Sequence, residues 1–328
     1  MDFRFPDRVQ LGLYPTPLIP AIRLSEALDG PEIYIKRDDL TGVTLTGNKI
    51  RKIEFLLAEA RQHNAEVIIT CGGAQSNHAR TTAIAARQLG MRTHLVLRNN
   101  GGKSLDGNLF LDRMVGAEIT FVSAEEYEHV DEQMQEIAAQ YEKEGIKAYV
   151  IPEGGSNALG AMGYAFAMKE LADQIKKSKQ TFDAIVLAVG SGGTQAGLLI
   201  GKMLFQVPIN IIGINICDDA AYFQNRIRSI LQEARQRFSL PAQLLSESIQ
   251  IVDGYVGKGY GLSRLEEIKT IKQVAELEGL ILDPVYTGKA MYGLKDLIAK
   301  GYFQKDQKII FLHTGGIFGL FPKRNLFF

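Results

Sequence analysis

The feature that most limits how this chain can fold is the regular alternation of short β-branched runs with longer amphipathic stretches along its 328 residues. The runs with the apolar, β-branched character of strands are 33–36, 67–70, 93–97, 119–122, 148–151, 184–189, 209–214 and 308–312. The stretches with helical periodicity are 50–62, 77–89, 126–144, 164–177, 264–278 and 289–299. This alternation predicts an α/β fold whose mostly parallel sheets are covered by helices on both faces.

The chain is best divided at the glycine-rich stretch 152–163. The strand–helix units before this stretch predict a small open sheet, and the segment after it predicts a larger sheet to which the N-terminal residues return. We therefore predict two open, twisted, mostly parallel sheets flanked by helices. The large domain is expected to hold residues 1–50 and 164–328, and the small domain residues 51–163.

The charge balance excludes several classes of partner. Lys and Arg number 37, and so do Asp and Glu, which leaves no net charge to attract nucleic acid or an anionic membrane. Cys71 and Cys217 form no C-x-x-C pair, and no cluster has the spacing of metal ligands. No signal-peptide pattern and no apolar run of about 18 residues is found. The sequence thus predicts a cytoplasmic, metal-free enzyme that acts on a small molecule.

Glycine-rich turns follow three of the predicted strands, at 71–78, 190–197 and 313–316. In parallel sheets such turns lie at the carboxyl ends of strands, where helix N-termini present free N–H groups to anionic ligands. The turn that begins at Gly190 is not a dinucleotide motif, because Gln195 occupies the position of the third glycine of G-x-G-x-x-G. Its Ser-Gly-Gly-Thr sequence favours a cradle for a single phosphate monoester.

Lys49 differs in its surroundings from a typical solvated lysine. It lies behind Gly47-Asn48 at the start of a predicted amphipathic helix, close in sequence to the cations Arg51 and Lys52. Neighbouring positive charges and burial lower the pKa of a lysine, and a lowered pKa is what an amine needs to form a Schiff base. We interpret Lys49 as a candidate Schiff-base lysine.

Six motifs occur along the chain in one order: KRDDLTG at 36–42, GNKIRK at 47–52, QSNH at 75–78, GSGGT at 190–194, DPVYTGK at 283–289 and HTGG at 313–316. Together they closely resemble the D-cysteine desulfhydrase and 1-aminocyclopropane-1-carboxylate (ACC) deaminase family, over residues 13 to 320. The resemblance implies the fold type II (tryptophan synthase β-like) of pyridoxal-phosphate enzymes, with pyridoxal 5′-phosphate as cofactor and a small amino acid as substrate. A symmetric homodimer is the expected assembly.

The resemblance also implies which residues hold the cofactor. Lys49 is implied to carry it on its amine and afterwards to move protons, and Asn77 is implied to hydrogen-bond the phenolic O3′ oxygen. Thr287 is implied to meet the pyridine nitrogen, with Thr314 close to it. The phosphate is implied to lie against Lys52 and the turn made of Gly190, Ser191, Gly192, Gly193 and Thr194.

On the substrate side, the resemblance implies contacts from Ser76, Asn77, His78, Tyr260 and Tyr286. Ser76 and the N–H groups of its turn are expected to receive the substrate carboxylate or to assist proton transfer. Catalysis is implied for Lys49, Ser76 and Tyr286. One position departs from the family: Thr46 stands where glycine is usual, and its Cβ is expected to shift the loop before Lys49 only slightly.

Two positions separate the branches of this family. D-cysteine desulfhydrases have threonine where this chain has Thr287 and Thr314, whereas ACC deaminases have glutamate and leucine. A carboxylate at the pyridine nitrogen keeps the ring protonated and strengthens the electron sink that ACC, which has no α-hydrogen, requires. A hydroxyl leaves the nitrogen closer to neutral. The sequence therefore favours β-elimination of D-cysteine to pyruvate, ammonia and hydrogen sulfide.

Other functions stay open on the sequence alone. They are a related β-eliminase (an L-cysteate sulfo-lyase, or a lyase for β-chloro-D-alanine or a serine-type substrate) and ACC deaminase itself. A non-catalytic carrier of pyridoxal phosphate is a further alternative from a different class. A carrier needs no site for a substrate carboxylate, so Ser76, Asn77 and Tyr286 argue against it, and pyruvate release separates the two classes.

Overall fold

The computed structural model describes residues 3–99 and 105–328, and it confirms the predicted α/β architecture with two mostly parallel sheets flanked by helices. The strands are β1 Leu18–Pro20, β2 Glu32–Lys36, β3 Val67–Gly73, β4 Arg92–Arg98, β5 Glu118–Val122, β6 Ala148–Val150, β7 Ala184–Val189, β8 Asn210–Asn215, β9 Gln250–Val252 and β10 Lys308–Leu312. The helices are α1 Ile22–Leu28, α2 Lys49–Gln62, α3 Asn77–Gln88, α4 Gly107–Met114, α5 Val130–Lys143, α6 Ala158–Ser178, α7 Gly193–Phe205, α8 Ala220–Arg237, α9 Leu265–Glu278 and α10 Thr287–Ala299.

The larger sheet has the strand order β1-β2-β10-β7-β8-β9. All of its neighbouring strands are parallel except β1, which runs antiparallel to β2 at the edge. Ile33 of β2 is the register partner of Ile309 of β10, so the N-terminal residues return to the C-terminal half of the chain, as predicted. The central strands β7 and β10 are almost wholly buried, as parallel strands covered on both faces should be.

The smaller sheet has the order β5-β4-β3-β6, and all of its strands are parallel. Its strands lie between positions 67 and 150. The predicted boundary at 163 falls inside α6, which is continuous from Ala158 to Ser178. The division into domains at 51–163 therefore stays a prediction, while the division into two sheets is observed.

The largest error in the bounds of a predicted helix concerns the start of α6, which was expected at residue 164. The helix begins at Ala158, because the Asn157 side chain accepts a hydrogen bond from the Gly160 N–H at 2.8 Å and caps it. Gly160 and Gly163 were interpreted as turn residues. A Cβ on Gly163 would lie 2.2 Å from the Arg51 carbonyl oxygen, so this glycine allows close packing of α6 against α2.

The remaining errors concern two short strands, the start of α5 and the helices that were not predicted. The three-residue strands β1 and β9 are too short to show a period. The predicted helix 126–144 begins with a short 3₁₀ turn, and α5 starts only at Val130. No helical stretch was predicted over α1, α4, α7 or α8. No helix of the described residues is both long and apolar enough to cross a membrane.

A buried ionic cluster fixes the start of α2. The Arg51 guanidinium donates to Asp38 Oδ2 at 2.8 Å and to Glu170 Oε2 at 3.0 Å, and the three side chains are at most 8% exposed. Lys36 also pairs with Glu170. A buried cation needs such partners to offset its lost hydration. The KRDDLTG motif thus holds the first turn of α2, which begins at Lys49.

Candidate active site

The carboxyl ends of β3 and β7 and the N-termini of α2, α3 and α7 meet at a cavity of about 300 Å³. Polar and charged side chains dominate its wall, although the strands that lead to it are apolar. The predicted residues that line it are Lys49, Ser76, Asn77, His78, Gly190, Ser191, Gly192, Thr194, Tyr260, Tyr286 and Thr314. The structure therefore brings together in one cavity residues that are up to 265 positions apart (314 − 49).

Lys49 is the first residue of α2, and its amine points into the cavity. A Cβ added to Gly154 would lie 3.3 Å from Lys49 Nζ and 2.6 Å from Ser191 Oγ, so the amine lies beside the Gly190–Thr194 turn. Burial lowers the pKa of Lys49 to about 8, and the negative charge of Glu153 opposes this shift only partly. A sizeable fraction of the amine is therefore neutral near physiological pH and able to attack a carbonyl carbon.

The second glycine-rich turn forms an anion cradle at the start of α7. Gly192 has a φ of +79°, a left-handed conformation that favours glycine, and it turns the chain into the helix. The N–H groups of Gly193 and Thr194 have no backbone acceptor within the described chain. A Cβ on Gly193 would lie 2.6 Å from Ser156 Oγ and 2.9 Å from Lys52 Nζ. Free N–H groups at a helix N-terminus are typical of phosphate sites.

Lys52 lies behind this turn, fully buried, and does not line the cavity itself. Its ammonium donates to the Gly154 carbonyl and to Ser156 Oγ, each at 3.0 Å. Within the described residues it has no carboxylate partner. Burial, with the positive charges of Lys49 and Arg226, holds its pKa well below the ordinary value. A buried cation without an anion is costly unless an anionic ligand completes the site, so this set fits the phosphate of pyridoxal phosphate.

The first glycine-rich turn presents a second anion site at the start of α3. Ser76 caps the helix, because its Oγ accepts from the Ala79 N–H at 3.1 Å. The N–H groups of Asn77 and His78 have no acceptor in the described chain. They fit a carboxylate, as predicted for the substrate.

The buried Asn108 fixes the orientation of the Asn77 amide. Its Nδ2 donates to Asn77 Oδ1 and to the Gln75 carbonyl, each at 3.0 Å, while its Oδ1 accepts from Arg80 Nε. With its oxygen engaged in this way, Asn77 directs its NH₂ group to other acceptors, which fits a phenolic oxygen of a cofactor. Nothing in the sequence marked Asn108, which belongs to the unpredicted helix α4.

His78 lines the cavity as a neutral side chain. Its Nε2 lies 2.7 Å from Thr70 Oγ1, which in turn donates to the Ile151 carbonyl, so Nε2 carries the proton. Burial and the positive charges of Lys49 and Lys52 hold its pKa well below the ordinary value. The other nitrogen, Nδ1, is buried and has no partner within the described residues.

Tyr260 and Tyr286 form a phenol pair on one wall of the cavity. Their hydroxyl oxygens are 2.5 Å apart, and their rings meet edge to face at 6.0 Å. Burial and the hydrogen bond to Tyr260 raise the pKa of Tyr286 well above its usual range, so this phenol is protonated at neutral pH. The carboxylate of Asp283 accepts from the Tyr286 N–H at 3.0 Å and holds the start of α10.

The two branch-specific threonines differ in their surroundings. Thr287 Oγ1 donates to Asp283 Oδ1 at 2.7 Å and accepts from the Asp283 N–H at 2.8 Å, and Thr287 does not line the cavity. Its only hydroxyl proton is thus already used. Thr314 lines the cavity, and its hydroxyl makes no hydrogen bond to the described residues.

Thr46 is accommodated without displacing Lys49 from the cavity. Its Oγ1 donates to the Asp39 carbonyl at 2.5 Å, which points the side chain toward the 38–40 turn. The next residue, Gly47, has a φ of +109° and packs against the Thr314 carbonyl.

Sequence reasoning missed four charged residues of the cavity wall: Arg98, Glu153, Asp218 and Arg226. Glu153 accepts from the Tyr127 hydroxyl at 2.8 Å, and Arg226 Nε donates to the Ser191 carbonyl at 3.1 Å. Arg98 could have been found, because it directly follows the carboxyl end of the predicted strand 93–97. Arg226 belongs to the unpredicted helix α8, and no sequence signal marked it.

Comparisons with known proteins agree with this geometry. The profile of the family described as pyridoxal-phosphate dependent enzymes matches residues 9–315. The chain belongs to this family. A protein of Thermotoga maritima with the provisional name 1-aminocyclopropane-1-carboxylate deaminase is 46% identical over 318 residues, which cover 96% of this chain and 98% of the relative. The bifunctional D-cysteine desulfhydrase/ACC deaminase of Arabidopsis thaliana is 42% identical, over 95% of this chain and 79% of its own.

Solved structures agree as well. A crystal structure described as that of an ACC deaminase homologue matches with a TM-score of 0.90 at 40% identity, covering 98% of this chain and 96% of its own. The resemblance to the D-cysteine desulfhydrase and ACC deaminase family, the fold type and the dependence on pyridoxal phosphate are thereby confirmed. The roles assigned to single residues stay predictions.

Proposed function

We propose that the enzyme catalyses β-elimination of D-cysteine, in which D-cysteine and water give pyruvate, ammonia and hydrogen sulfide. The observation that carries this choice over ACC deamination is the free hydroxyl of Thr314 in the cavity wall, where ACC deaminases have leucine. Neither this position nor Thr287 offers a carboxylate. A hydroxyl supports a weaker electron sink, which suffices for expulsion of a thiolate.

The cofactor would be held by Lys49, Asn77, Thr314 and the anion cradle. The chemistry that pyridoxal phosphate supplies when bound is withdrawal of electrons from Cα of an amino acid. With the cofactor bound, the Lys49 amine would act as the base that removes the proton from Cα, and its low pKa suits this role. The start of α3, capped by Ser76, binds and orients the substrate carboxylate.

Tyr286 is the group that protonates the leaving sulfur. Its phenol carries a proton at neutral pH because burial raises its pKa. The Tyr260 hydroxyl oxygen lies 2.5 Å from that of Tyr286 and extends this hydrogen-bonded pair toward the more exposed side of the cavity. When the Cβ–S bond breaks, its electron pair stays on sulfur, and the phenol proton neutralises the departing thiolate.

Thr314, rather than Thr287, is the threonine that meets the pyridine nitrogen in this proposal. Thr314→Val removes the free hydroxyl and is expected to lower the rate of pyruvate release about tenfold and to shift the visible absorption band, with little change in stability. Thr287→Val, the matched control, breaks two buried hydrogen bonds to Asp283 and is expected to lower the free energy of unfolding by about 1–3 kcal/mol. Thermal unfolding and absorption spectra of both variants test this. The reverse pattern would restore Thr287 as the partner of the nitrogen.

The function itself is tested by product release. The holoenzyme is incubated with D-cysteine, L-cysteine, each enantiomer of cysteate, β-chloro-D-alanine and ACC, and pyruvate, sulfide and 2-oxobutanoate are measured. We expect pyruvate and sulfide in equal amounts from D-cysteine as the best substrate. If kcat/KM for 2-oxobutanoate formation from ACC exceeded kcat/KM for D-cysteine, the second candidate, ACC deaminase, would be established. The name of the Thermotoga maritima relative favours this candidate. If none of these substrates yields a product, the hypothesis that remains is a non-catalytic carrier of pyridoxal phosphate.

Cellular setting and assembly complete the proposal. We infer a cytoplasmic homodimer that acts on a free amino acid and binds neither nucleic acid nor membrane, in line with the balanced charge of the chain. Light scattering coupled to size-exclusion chromatography measures the assembly directly.

A further inference from the structure

Arg98 lies at the substrate side of the cavity. It is the last residue of β4 and the register partner of Gly73, whose turn leads to Ser76 and Asn77. Its carbonyl accepts from the Ala74 N–H at 3.0 Å, so the backbone of Arg98 is bonded to the turn that receives the substrate carboxylate. Its side chain lines the same cavity as Lys49.

Two tyrosine rings hold the Arg98 guanidinium. The guanidinium carbon lies 5.0 Å from the ring centre of Tyr127 and 5.7 Å from that of Tyr260. Cation–π contact orients a guanidinium but leaves its N–H groups free in the plane of the group. Tyr260 also belongs to the phenol pair, so Arg98 lies next to the groups assigned to the leaving sulfur.

The hydrogen-bonding capacity of Arg98 is unused within the described residues. Its Nε is buried without a partner, and it forms no ion pair. The fully buried arginines, by contrast, are satisfied: Arg51 pairs with two carboxylates, and Arg80 donates to Asn108 and to two carbonyls. Arg98 is only half-buried, but its buried Nε–H has no acceptor among the described residues, and an anionic ligand in the cavity would satisfy it.

The acids of the cavity do not satisfy this need. Glu153 and Asp218 line the cavity, but neither forms an ion pair with Arg98, and Glu153 accepts instead from the Tyr127 hydroxyl. The cations Lys52 and Arg226 lie at the phosphate cradle. Of the residues that the structure describes, Arg98 is therefore the cation that remains on the substrate side.

We propose that Arg98 determines specificity by binding the β-substituent of the substrate. The cavity then accepts amino acids whose β-substituent is an anion or leaves as an anion. The proposal rests on β-elimination as the proposed function. With a β-sulfonate, the Cα proton passes to Lys49, and the Cβ–S bond breaks with its electron pair on sulfur. Sulfite leaves beside Arg98, and water completes the products pyruvate and ammonia. No oxidant or reductant is required.

The experiment compares two probes that lack an amine and so bind without turnover: 3-sulfopropanoate and propanoate. Their dissociation constants with the holoenzyme are measured by calorimetry for the wild type and for Arg98→Gln. We expect the wild type to bind 3-sulfopropanoate more tightly. Arg98→Gln is expected to raise the dissociation constant of 3-sulfopropanoate about tenfold or more, because a charge-assisted hydrogen bond is lost. The dissociation constant of propanoate is expected to change by less than about twofold.

Arg113→Gln is the matched control, since Arg113 is an exposed arginine that also lies over an aromatic ring, Phe121, outside the cavity. It is expected to leave both constants unchanged. The proposal would be overturned if Arg98→Gln weakened the binding of both probes equally or of neither. It would also be overturned if the wild type showed no preference for the sulfonate. Because the probes need no turnover, failure of D-cysteine to yield pyruvate would refute the proposed function without affecting this test.

Discussion

Replacing Lys49 by alanine is expected to lower the rate of pyruvate release from D-cysteine roughly a thousandfold or more, because one amine both attaches the cofactor and moves the α-proton. Among the described residues the cavity offers no second amine for this role, since Lys52 lies behind the cradle and its ammonium is bonded to Gly154 and Ser156. Steady-state assays with saturating pyridoxal phosphate measure the loss. Added ethylamine is expected to restore part of the activity of Lys49→Ala, because it replaces the missing amine.

Lys176→Ala serves as the control for this variant, because Lys176 is exposed in the last turn of α6, far in sequence from the cavity residues. Its activity is expected to stay within about twofold of the wild type. A Lys49→Ala enzyme that keeps more than a tenth of the wild-type rate would contradict the assignment of the base.

Lys52→Met is expected to have opposite effects on the two forms of the protein. The pKa of Lys52 is lower in the folded protein than in the unfolded chain, so the unfolded chain binds the proton more tightly. At neutral pH the buried ammonium therefore destabilises the cofactor-free protein. Methionine has a similar shape, and we expect the free energy of unfolding of the cofactor-free protein to rise by about 1 kcal/mol. Affinity for pyridoxal phosphate is expected to fall at least tenfold.

Lys289→Met provides the contrast, because Lys289 is also buried but lies 3.4 Å from Glu267 and donates to the carbonyls of Val256 and Leu262. Its removal leaves a buried carboxylate with less compensation, and the cofactor-free protein is expected to lose about 3 kcal/mol of stability. Denaturant unfolding of both variants and titration with pyridoxal phosphate decide the question. A Lys52→Met protein that is less stable yet binds the cofactor normally would make Lys52 a structural cation only.

The sequence predicted the strands and helix N-termini that surround the site, because local residue patterns determine where strands and helices lie. The strands 184–189 and 308–312 were placed with their observed ends, since fully buried parallel strands are continuous apolar runs bounded by glycine-rich turns. These turns then place the helix N-termini at one edge of the sheet. The positions of Lys49 and of the phosphate cradle follow from this arrangement.

Contacts between distant elements could not be predicted in the same way. The sequence pattern does not show which of Thr287 and Thr314 has a free hydroxyl. Only the folded turn shows that the Thr287 hydroxyl donates to Asp283. Asn108 and Arg226 lie on helices that were not predicted, and they reach the site through packing. Gly163 was interpreted as a turn residue because its close approach to Arg51 of α2 is invisible in the sequence.

The most direct test of the account is to identify the lysine that carries the cofactor. The holoenzyme is reduced with borohydride, which makes the attachment permanent, and is then digested and mapped by mass spectrometry. We expect the pyridoxyl group on Lys49 alone, with the adjacent Lys52 unmodified. A modified Lys52 or any other lysine, with Lys49 unmodified, would contradict the site and every role derived from it.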